Sequence, residues 1–438
     1  MQIDSTTFQD LSIFHTDEAS SLFHRLDFTQ TAAGKDYLYR YFKTPHDRLE
    51  EIEATQSTLR HLLHHLDEWP ESITNGTLLV IEKFLDYHLE PIPASSDLFN
   101  AWLYRIFNGP DYGLANYSIG HLSDLITGMR TLTSMLDREE APARLKIVIA
   151  DIKRLLRHKT VERLATRPKG QPFGVLETIT YARFFHQEFH QQTLALIQCY
   201  GQLDAWYSMA IAHQRLGLSF PEFIRSEDPL IDARGLFHLL LPAPVPYDVR
   251  MDPDTNFMFL TGANMAGKST FIKSVGIAVF LAHLGMGVPA NAMRLTLFEG
   301  ILSNIQVMDD IIRGESYFFN EVQRIRHTVE RISDGRRWLV LIDELFKGTN
   351  IQDAMKCSVT VIRGLIRIRK ALFILSTHLY EIGEELKPFP NICFRYFETG
   401  IVDDQLVFSY QLREGISNDR IGYLILKREK VTDLLDQL

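Results

Sequence analysis

Residues 257–270 read FMFLTGANMAGKST, and this stretch decides the fold of the second half of the chain. Its first four apolar residues predict a buried strand, and the following loop has the spacing G-x-x-x-x-G-K-[ST] that leads into a helix. Gly262 and Gly267 let the backbone turn so that several N–H groups face one phosphate. Lys268 would bring its charge to the β- and γ-phosphates of a nucleotide, and the hydroxyl of Ser269 would complete a Mg²⁺ shell. Unless the match is accidental, the stretch predicts a phosphate-binding loop.

A second apolar strand ends in two consecutive carboxylates. Residues 338–344 read WLVLIDE, so Asp343 and Glu344 follow the apolar run directly. In ATPases with a phosphate-binding loop, the first acid can hold Mg²⁺ through its water shell, and the second can orient or deprotonate the attacking water. A strand that ends in a solvated acidic turn is the alternative. Together with the loop before Lys268, the acid pair predicts a site that binds ATP and Mg²⁺ and hydrolyses the ATP.

Two further segments could complete such a site. Residues 372–375, LFIL, predict a third strand, and His378 follows it closely enough to sense a γ-phosphate beside Asp343. Residues 314–321 read GESYFFNE and predict the start of a helix. A serine at a helix start is most often an N-cap. The same geometry would also expose Ser316 and nearby N–H groups to an anion supplied from outside the chain.

The chain divides into a helical part and a mixed part. Over residues 1–228, Leu, Phe and Ile recur every three or four positions, which is the spacing of amphipathic helices. After Pro229, short apolar runs alternate with helical stretches, which predicts an α/β sheet covered on both faces. Two alternating runs between residues 394 and 412 predict an antiparallel hairpin. We therefore expect a mostly helical domain over 1–228 and an α/β P-loop ATPase domain over 229–438.

Composition excludes several classes of protein. The chain of 438 residues is 45% hydrophobic and 23% charged, which is ordinary for a folded globular protein. The formal net charge of −9 differs from the basic charge of proteins that only coat nucleic acid, so DNA contact would need a local patch. Three distant cysteines suit neither a disulfide framework nor a metal site. Because the first ten residues lack a signal-peptide core and the apolar run 275–290 is too short to span a bilayer, we expect a cytoplasmic protein without a membrane partner.

A basic segment is the best local candidate for DNA contact. Residues 146–169 contain eight Lys or Arg residues against two acidic ones. A solvated helix face is the usual meaning of such a run, whereas contact with DNA phosphates would be independent of base sequence and steeply dependent on salt. The residues predicted to make such contacts are Lys153, Arg154, Arg157, Lys159 and Arg163.

These motifs resemble those of the MutS family of DNA mismatch-repair ATPases. Residues 261–270, TGANMAGKST, are similar to the family's T-G-P-N-M-G-G-K-S-T and depart from it at Ala263 and Ala266. Residues 343–353, DELFKGTNIQD, are similar to its D-E-x-x-x-G-T-x-x-x-D, and residues 316–321, SYFFNE, to its S-T-F-x-x-E.

The resemblance extends, more weakly, to the N-terminal half. Residues 26–34, LDFTQTAAG, resemble the start of the family's helical core or lever domain, with an ordinary helix N-terminus as the alternative. The resemblance therefore implies a mostly helical core/lever domain over 1–228, followed by an α/β P-loop ATPase domain of the ABC type over 229–438. The expected protein is a short form of the family, without a mismatch-reading domain of its own.

What the resemblance implies about the site is specific. In the family, two subunits pack head to tail, so Ser316 of one subunit would complete the nucleotide site of the other in an ATP-dependent homodimer. Asn264 would polarise the γ-phosphate region, and the adenine would lie against the segment 245–247, VPY, and Tyr410. The expected nucleotide contacts are Gly262, Asn264, Met265, Ala266, Gly267, Lys268, Ser269, Thr270, Val245 and Tyr410. The expected catalytic residues are Glu344, Lys268, His378 and Ser316, and the expected Mg²⁺ ligands are Ser269 and Asp343.

Two functions remain open at this point. The first is an ATPase whose dimer switch acts on DNA in repair or recombination. The second is an ATP-switched scaffold that holds another protein and has no direct DNA contact. Both use the same catalytic residues, so DNA binding discriminates between them and ATP hydrolysis does not.

Overall fold

The computed structural model describes residues 1–93, 97–168, 170–305, 317–402 and 405–417. Within these ranges the α-helices are α1 (Ser5–Asp10), α2 (Leu22–Leu26), α3 (Ala32–Lys43), α4 (Leu49–Leu63), α5 (Asn75–Asp86), α6 (Leu98–Phe107), α7 (Gly109–Leu136), α8 (Ala143–Leu156), α9 (Lys159–Ala165), α10 (Val175–Arg183), α11 (His190–Arg215), α12 (Lys268–His283), α13 (Tyr317–Ile332), α14 (Ile351–Leu365) and α15 (Ile382–Leu386). The strands are β1 (Gln2–Ile3), β2 (Glu222–Phe223), β3 (Ile231–Leu236), β4 (Tyr247–Met251), β5 (Phe257–Thr261), β6 (Ala292–Leu295), β7 (Gly300–Asn304), β8 (Trp338–Asp343), β9 (Ala371–Ser376), β10 (Ile392–Val402) and β11 (Gln405–Glu414).

The chain forms two compact units. The sheet unit comprises Met1–Arg25, Thr44–Glu53 and Leu216–Leu438, and the helical unit comprises Leu26–Lys43 and Ala54–Arg215. This division differs from the single boundary that the sequence suggests at residue 228, because the first residues of the chain pack in the sheet unit.

A seven-stranded sheet forms the core of the sheet unit. Its order is β1-β7-β8-β9-β5-β10-β11, and β7, β8, β9, β5 and the start of β10 run parallel. Every residue of β5 and β9 is buried, because parallel strands covered on both faces expose neither side to water. Phe257 and Phe373 stack across two neighbouring strands, with ring centroids 5.8 Å apart. The three strands predicted from the apolar runs are confirmed.

The edge of this sheet carries the predicted hairpin. β10 and β11 pair antiparallel, with Arg395 opposite Glu414 at one end and Val402 opposite Gln405 at the other. The hairpin is confirmed, and the two aspartates 403–404 at its turn lie outside the described residues. A register shift between Phe397 and Thr399 marks a bulge in β10, close to the loop that follows β5.

A second, four-stranded sheet was not foreseen from the sequence. Its order is β2-β6-β3-β4, and β3 pairs antiparallel with both β4 and β6. The strands of two to six residues alternate buried and exposed side chains, as in β4 with the pattern buried–exposed–buried–exposed–buried. Such short, half-buried strands give little hydrophobic signal in a sequence.

The N-terminal segment packs against β7. β1 adds a parallel strand beside β7 through Gln2 and Ile3. At the end of α1, the buried carboxylate of Asp10 accepts hydrogen bonds from the hydroxyl of Ser303 at 2.5 Å and the N–H of Ile305 at 2.9 Å. These contacts fix the carboxyl end of β7, and they place residues from the predicted helical domain in the sheet unit.

The helical unit is tied together by a buried aspartate. Asp204 of α11 is fully buried and accepts hydrogen bonds from the N–H of Gln30 at 3.0 Å, and from the N–H and hydroxyl of Thr31 at 2.9 and 2.7 Å. Burial raises the pKa of Asp204, and these hydrogen bonds oppose that rise. The segment that resembles the start of a core domain therefore has a defined structural role, since Asp204 fixes the chain where it enters α3.

The long apolar run in the sheet unit is part of the globular core. Residues 275–290 occupy most of α12, the turn after it and the segment that leads to β6, and Val275 through His283 are buried. No α-helix among the described residues combines the length and the apolar character that crossing a membrane requires.

Candidate functional site

The loop between β5 and α12 has the backbone that a phosphate cradle needs. Gly262 and Gly267 have φ of 139° and 108°, and a Cβ at Gly262 would lie 3.2 Å from Cβ of Phe397. Met265 also has a positive φ, 66°, and its side chain is 75% exposed. Ala266 is buried, and its N–H donates to the carbonyl of Ala263 at 3.3 Å. The loop therefore curls tightly before the first turn of α12.

Lys268 begins α12 and turns back over this loop. Its Nζ donates to the carbonyl oxygens of Gly262 at 2.8 Å and Ala263 at 2.9 Å. Burial lowers the pKa of Lys268 to about 8, although the charges of Glu344 and Asp343 act in the opposite direction. The ammonium group is thus held in a desolvated position by two neutral acceptors, where an anion would bind it far more strongly than they do.

Asp343 is the last residue of β8, and its carboxylate accepts hydrogen bonds from two hydroxyl groups. The hydroxyl of Ser269 donates to Oδ2 of Asp343 at 2.5 Å, and the hydroxyl of Ser376 donates to Oδ1. Ser376 lies directly opposite Asp343 in the parallel pair of β8 and β9, and the sequence analysis did not single it out. Its position at the end of a predicted strand, two residues before His378, was the available signal.

Glu344 follows with a strained backbone. Its φ is 64°, a left-handed conformation that non-glycine residues seldom adopt. Oε1 of Glu344 lies 2.8 Å from Nε2 of His378, and Oε2 lies 3.3 Å from Nζ of Lys347. Burial raises the pKa of Glu344, but the hydrogen bond from His378 and the charge of Lys347 outweigh it and lower the pKa to about 2. Lys347 is the second contact that sequence reasoning missed.

One ring nitrogen of His378 has two neighbours. Nε2 lies 2.8 Å from the Glu344 carboxylate and 3.3 Å from Nζ of Lys268. A carboxylate only accepts hydrogen bonds and an ammonium only donates, so this nitrogen cannot satisfy both. We assign the proton to Nε2, because the shorter contact is to the carboxylate. His378 then donates to Glu344 and lies beside Lys268 without a hydrogen bond to it.

These groups line one cavity of about 500 Å³, a volume in the usual range for small-molecule sites. Of the predicted nucleotide contacts, all except Gly262 and Ala266 line it, and Asp343, Glu344 and His378 lie on the same wall. The rest of the lining is apolar or aromatic. It includes Val245 and Tyr247 of the predicted adenine segment, the predicted Tyr410, and three residues outside the predicted contacts: Leu241, Pro242 and Ala243. The proline-rich passage before β4 was the signal for that wall.

Other predicted site residues lie elsewhere or outside the described ranges. Ser316 falls within residues 306–316, which the structure does not describe. In the basic segment of the helical unit, Lys153 pairs with Asp137, and Arg154 pairs with Asp151 at 2.8 Å. The other three candidate DNA contacts have exposed side chains, namely Arg157, Lys159 and Arg163.

Comparison with known proteins agrees with this geometry. The family MutS domain V matches residues 258–433. The DNA mismatch repair protein MutS of Pseudothermotoga lettingae is 30% identical over 233 residues, which cover 52% of this chain and 28% of that protein. The msh3 protein of Aspergillus oryzae is 27% identical over 240 residues, and MSH3 of Saccharomyces cerevisiae is 29% identical over 239 residues. Each alignment covers 52% of this chain, with 21% of the Aspergillus protein and 23% of the yeast protein.

The chain thus spans less than a third of the length of these curated relatives. The matched region contains β5 with its loop, the acid pair of β8 and the histidine after β9, which are the elements that form the cavity. Over residues 258–433, the chain is therefore similar to MutS domain V.

Proposed function

We propose that the chain is an ATPase of the ABC type that binds ATP with Mg²⁺ in the cavity after β5, and that ATP binding and hydrolysis switch its action on DNA. One observation carries the proposal: a desolvated lysine, a hydroxyl–carboxylate pair and a histidine-bound glutamate meet on one wall of a single cavity. In this proposal the loop at residues 262–267 is a P-loop, and the helical unit is a core/lever domain.

The phosphates of ATP lie in the loop in this proposal. Backbone N–H groups between Gly262 and Gly267 and the N-terminus of α12 face them. Lys268 exchanges its two carbonyl acceptors for phosphate oxygens. Their negative charge compensates the ammonium group for the solvation that it lost on burial. Asn264 lies on the cavity wall and contacts the γ-phosphate, and Thr270 and Met265 complete the wall.

The residues present suit a magnesium ion. The Ser269 hydroxyl and the Asp343 carboxylate are already in contact at 2.5 Å, and both are hard oxygen ligands of the kind that Mg²⁺ prefers. Ser376 orients the other oxygen of Asp343. When bound, the ion neutralises charge on the β- and γ-phosphates. The work of this chain is to hold Ser269 and Asp343 where their oxygens face the phosphates.

Glu344 is the group that orients and deprotonates the attacking water. It lies one residue beyond the Mg²⁺ ligand and on the same cavity wall. His378 contacts both this carboxylate and Lys268, so it is placed to respond when a γ-phosphate draws the lysine away. The adenine packs between the apolar wall at Val245 and the ring of Tyr410, where stacking contributes without hydrogen-bond readout.

Turnover and binding measured separately test the ATPase. The purified chain is expected to hydrolyse ATP with Mg²⁺ and to lose turnover in excess chelator. Glu344→Gln should keep ATP affinity and lose about 100-fold or more of kcat, because a general base supplies a factor of that size. Lys268→Ala should instead lose affinity. A wild-type rate of turnover in Glu344→Gln would show that Glu344 is not the base. A wild-type chain that does not bind ATP would refute the proposal.

The dimer is proposed from the resemblance and rests on Ser316. In a head-to-tail homodimer this serine completes the neighbouring nucleotide site, so Ser316→Ala should lower hydrolysis only where sites are shared. Mixing Ser316→Ala with Lys268→Ala chains creates some sites with neither defect. Partial recovery of turnover in the mixture supports shared sites, and no recovery argues against them.

DNA contact has a rival, because two of the five predicted contacts are engaged by acidic neighbours. Lys153 and Arg154 pair with aspartates, which favours a scaffold that holds a protein partner without touching DNA. Titration with duplex, branched and mismatched DNA at two salt concentrations separates the two. Phosphate contact predicts affinity that falls steeply with salt and weakens when Arg157, Lys159 and Arg163 are replaced together. Binding no tighter than that of an unrelated acidic protein would leave the scaffold.

A further inference from the structure

The segment after the acid pair holds an unusual conformation. Glu344 and Phe346 both have left-handed backbones, with φ of 64° and 61°, and neither is glycine. Such a conformation persists only where its surroundings fix it. One support is hydrophobic, since Leu345 and Phe346 are buried in the core cluster of the sheet unit. A second support comes from α13.

Glu321, in the first turns of α13, is 5% exposed. One carboxylate oxygen accepts the N–H of Lys347 at 3.2 Å, and the other accepts the N–H of Gly348 at 3.3 Å. From the same helix, the ring of Phe318 lies against the ring of Phe346, with centroids 5.7 Å apart. α13 therefore holds residues 346–348 in place through the buried carboxylate of Glu321 and the ring of Phe318.

The segment 346–348 lies next to Glu344, the group proposed to act on water. Lys347, whose N–H Glu321 holds, places its Nζ 3.3 Å from Oε2 of Glu344. Fixing the backbone of Lys347 thus limits where its ammonium can reach and where the adjoining Glu344 carboxylate points. A buried carboxylate without these two N–H groups would be poorly solvated, so Glu321 and the segment stabilise each other's position.

We propose that Glu321 is a positioning residue for ATP hydrolysis: by holding residues 347–348 it sets the placement of Glu344 and Lys347 in the cavity wall. This rests on the proposed ATPase function. Glu321 does not touch the nucleotide, so it influences the hydrolytic step and leaves ATP binding to the loop after β5. A rigid shift of α13 would move this segment with it.

The test separates catalysis from binding. Glu321→Ala is expected to lower kcat at least about tenfold and to leave the dissociation constant of a non-hydrolysable ATP analogue within about threefold. Glu321→Gln should be intermediate, because its amide oxygen accepts only one of the two N–H groups. Glu330→Ala is the matched control, since Glu330 lies on the same helix but is exposed and, among the described residues, pairs with Arg326 on the surface. It should match the wild type.

Two further readouts exclude a merely structural role. Lys347→Met should lower kcat, and adding Glu321→Ala should cost less than the product of the two single effects, because both act on one carboxylate. Amide exchange of residues 344–350 should speed up in Glu321→Ala and not in Glu330→Ala. Each of three results would overturn the inference. They are a wild-type kcat per bound nucleotide in Glu321→Ala, a double variant whose loss of kcat equals the product of the two single losses, and amide exchange in Glu321→Ala that stays at the wild-type rate. A wild-type chain without turnover refutes the ATPase function instead, and amide exchange then still decides whether Glu321 holds the segment.

Discussion

The burial of Lys268 predicts that nucleotide binding depends on pH in a defined way. The pKa of this lysine is lowered to about 8 because burial penalises its charged form. A triphosphate that accepts hydrogen bonds from the ammonium favours the charged form and returns the pKa towards its usual value of about 10.4. Binding near pH 8 should therefore take up a proton.

The size of the effect follows from the two pKa values. With the free pKa at about 8, roughly nine-tenths of the lysines are charged at pH 7, half at pH 8 and one-tenth at pH 9. If only the charged form binds well, the dissociation constant grows by a factor of about 2 at pH 8 and about 11 at pH 9, or about 1.4 kcal/mol at the upper end. Proton uptake should be about half a proton per nucleotide at pH 8.

Titration calorimetry in buffers of different ionisation enthalpy measures both quantities. The ligand should be a non-hydrolysable ATP analogue in the presence of chelator, since bound metal adds its own charge to the site. Lys268→Arg is the control, because arginine stays charged throughout this range and should show neither the loss of affinity nor the proton uptake. Affinity of the wild-type chain that stays level from pH 7 to pH 9, with no proton taken up, would refute the inference that Lys268 is desolvated and meets phosphate.

Two further predictions concern the two units separately. His283 is fully buried, and burial lowers its pKa to about 3. Below pH 6.5 this histidine therefore binds a proton in the unfolded chain and stays neutral in the folded chain. The free energy of unfolding falls by about 2 kcal/mol between pH 7 and pH 5 as a result. Urea unfolding of His283→Gln should lack this part of the loss, and an unchanged pH dependence would contradict the assignment. In the helical unit, a Cβ at Gly34 would lie 2.1 Å from Oδ2 of Asp204, so Gly34→Ala should lower the free energy of unfolding by about 2 kcal/mol. The control Gly113→Ala meets nothing within 4 Å in α7 and should be neutral or slightly stabilising, and equal unfolding midpoints for the two variants would be contrary to this account.

The features that could be predicted from the sequence share one physical cause. β5, β8 and β9 are buried on both faces, so they appear as unbroken apolar runs, and the polar residues that end them stand out. Parallel strands bring their carboxyl ends to one edge, which is why Lys268, Asp343 and His378 meet although they are far apart along the chain. The motif spacing therefore indicated the polar half of the cavity well.

The features that were missed have causes of a different kind. β1 has two residues and pairs with β7 across about 300 positions, and no local pattern can report such a partner. The second sheet is built from short strands with one exposed face. Lys347 and Glu321 contact the acid segment through a backbone that turns left-handed at non-glycine residues, and neither propensity nor periodicity predicts such a turn.

In the free chain, Glu344, the group proposed to act on water, is poorly suited to proton transfer, and this bears on how the proposed site would work as a switch. A carboxylate with a pKa of about 2 is a weak base, because proton transfer near neutral pH is best served by groups that titrate there. His378 and Lys347 cause that low value by occupying both oxygens of Glu344. Freeing one oxygen for water means breaking the contact with His378, whose Nε2 also lies 3.3 Å from the lysine proposed to bind the γ-phosphate. In the proposed ATPase, Lys347 continues to place Glu344 while the contact with His378 breaks, so we expect nucleotide binding in the loop after β5 and release of Glu344 from His378 to occur together.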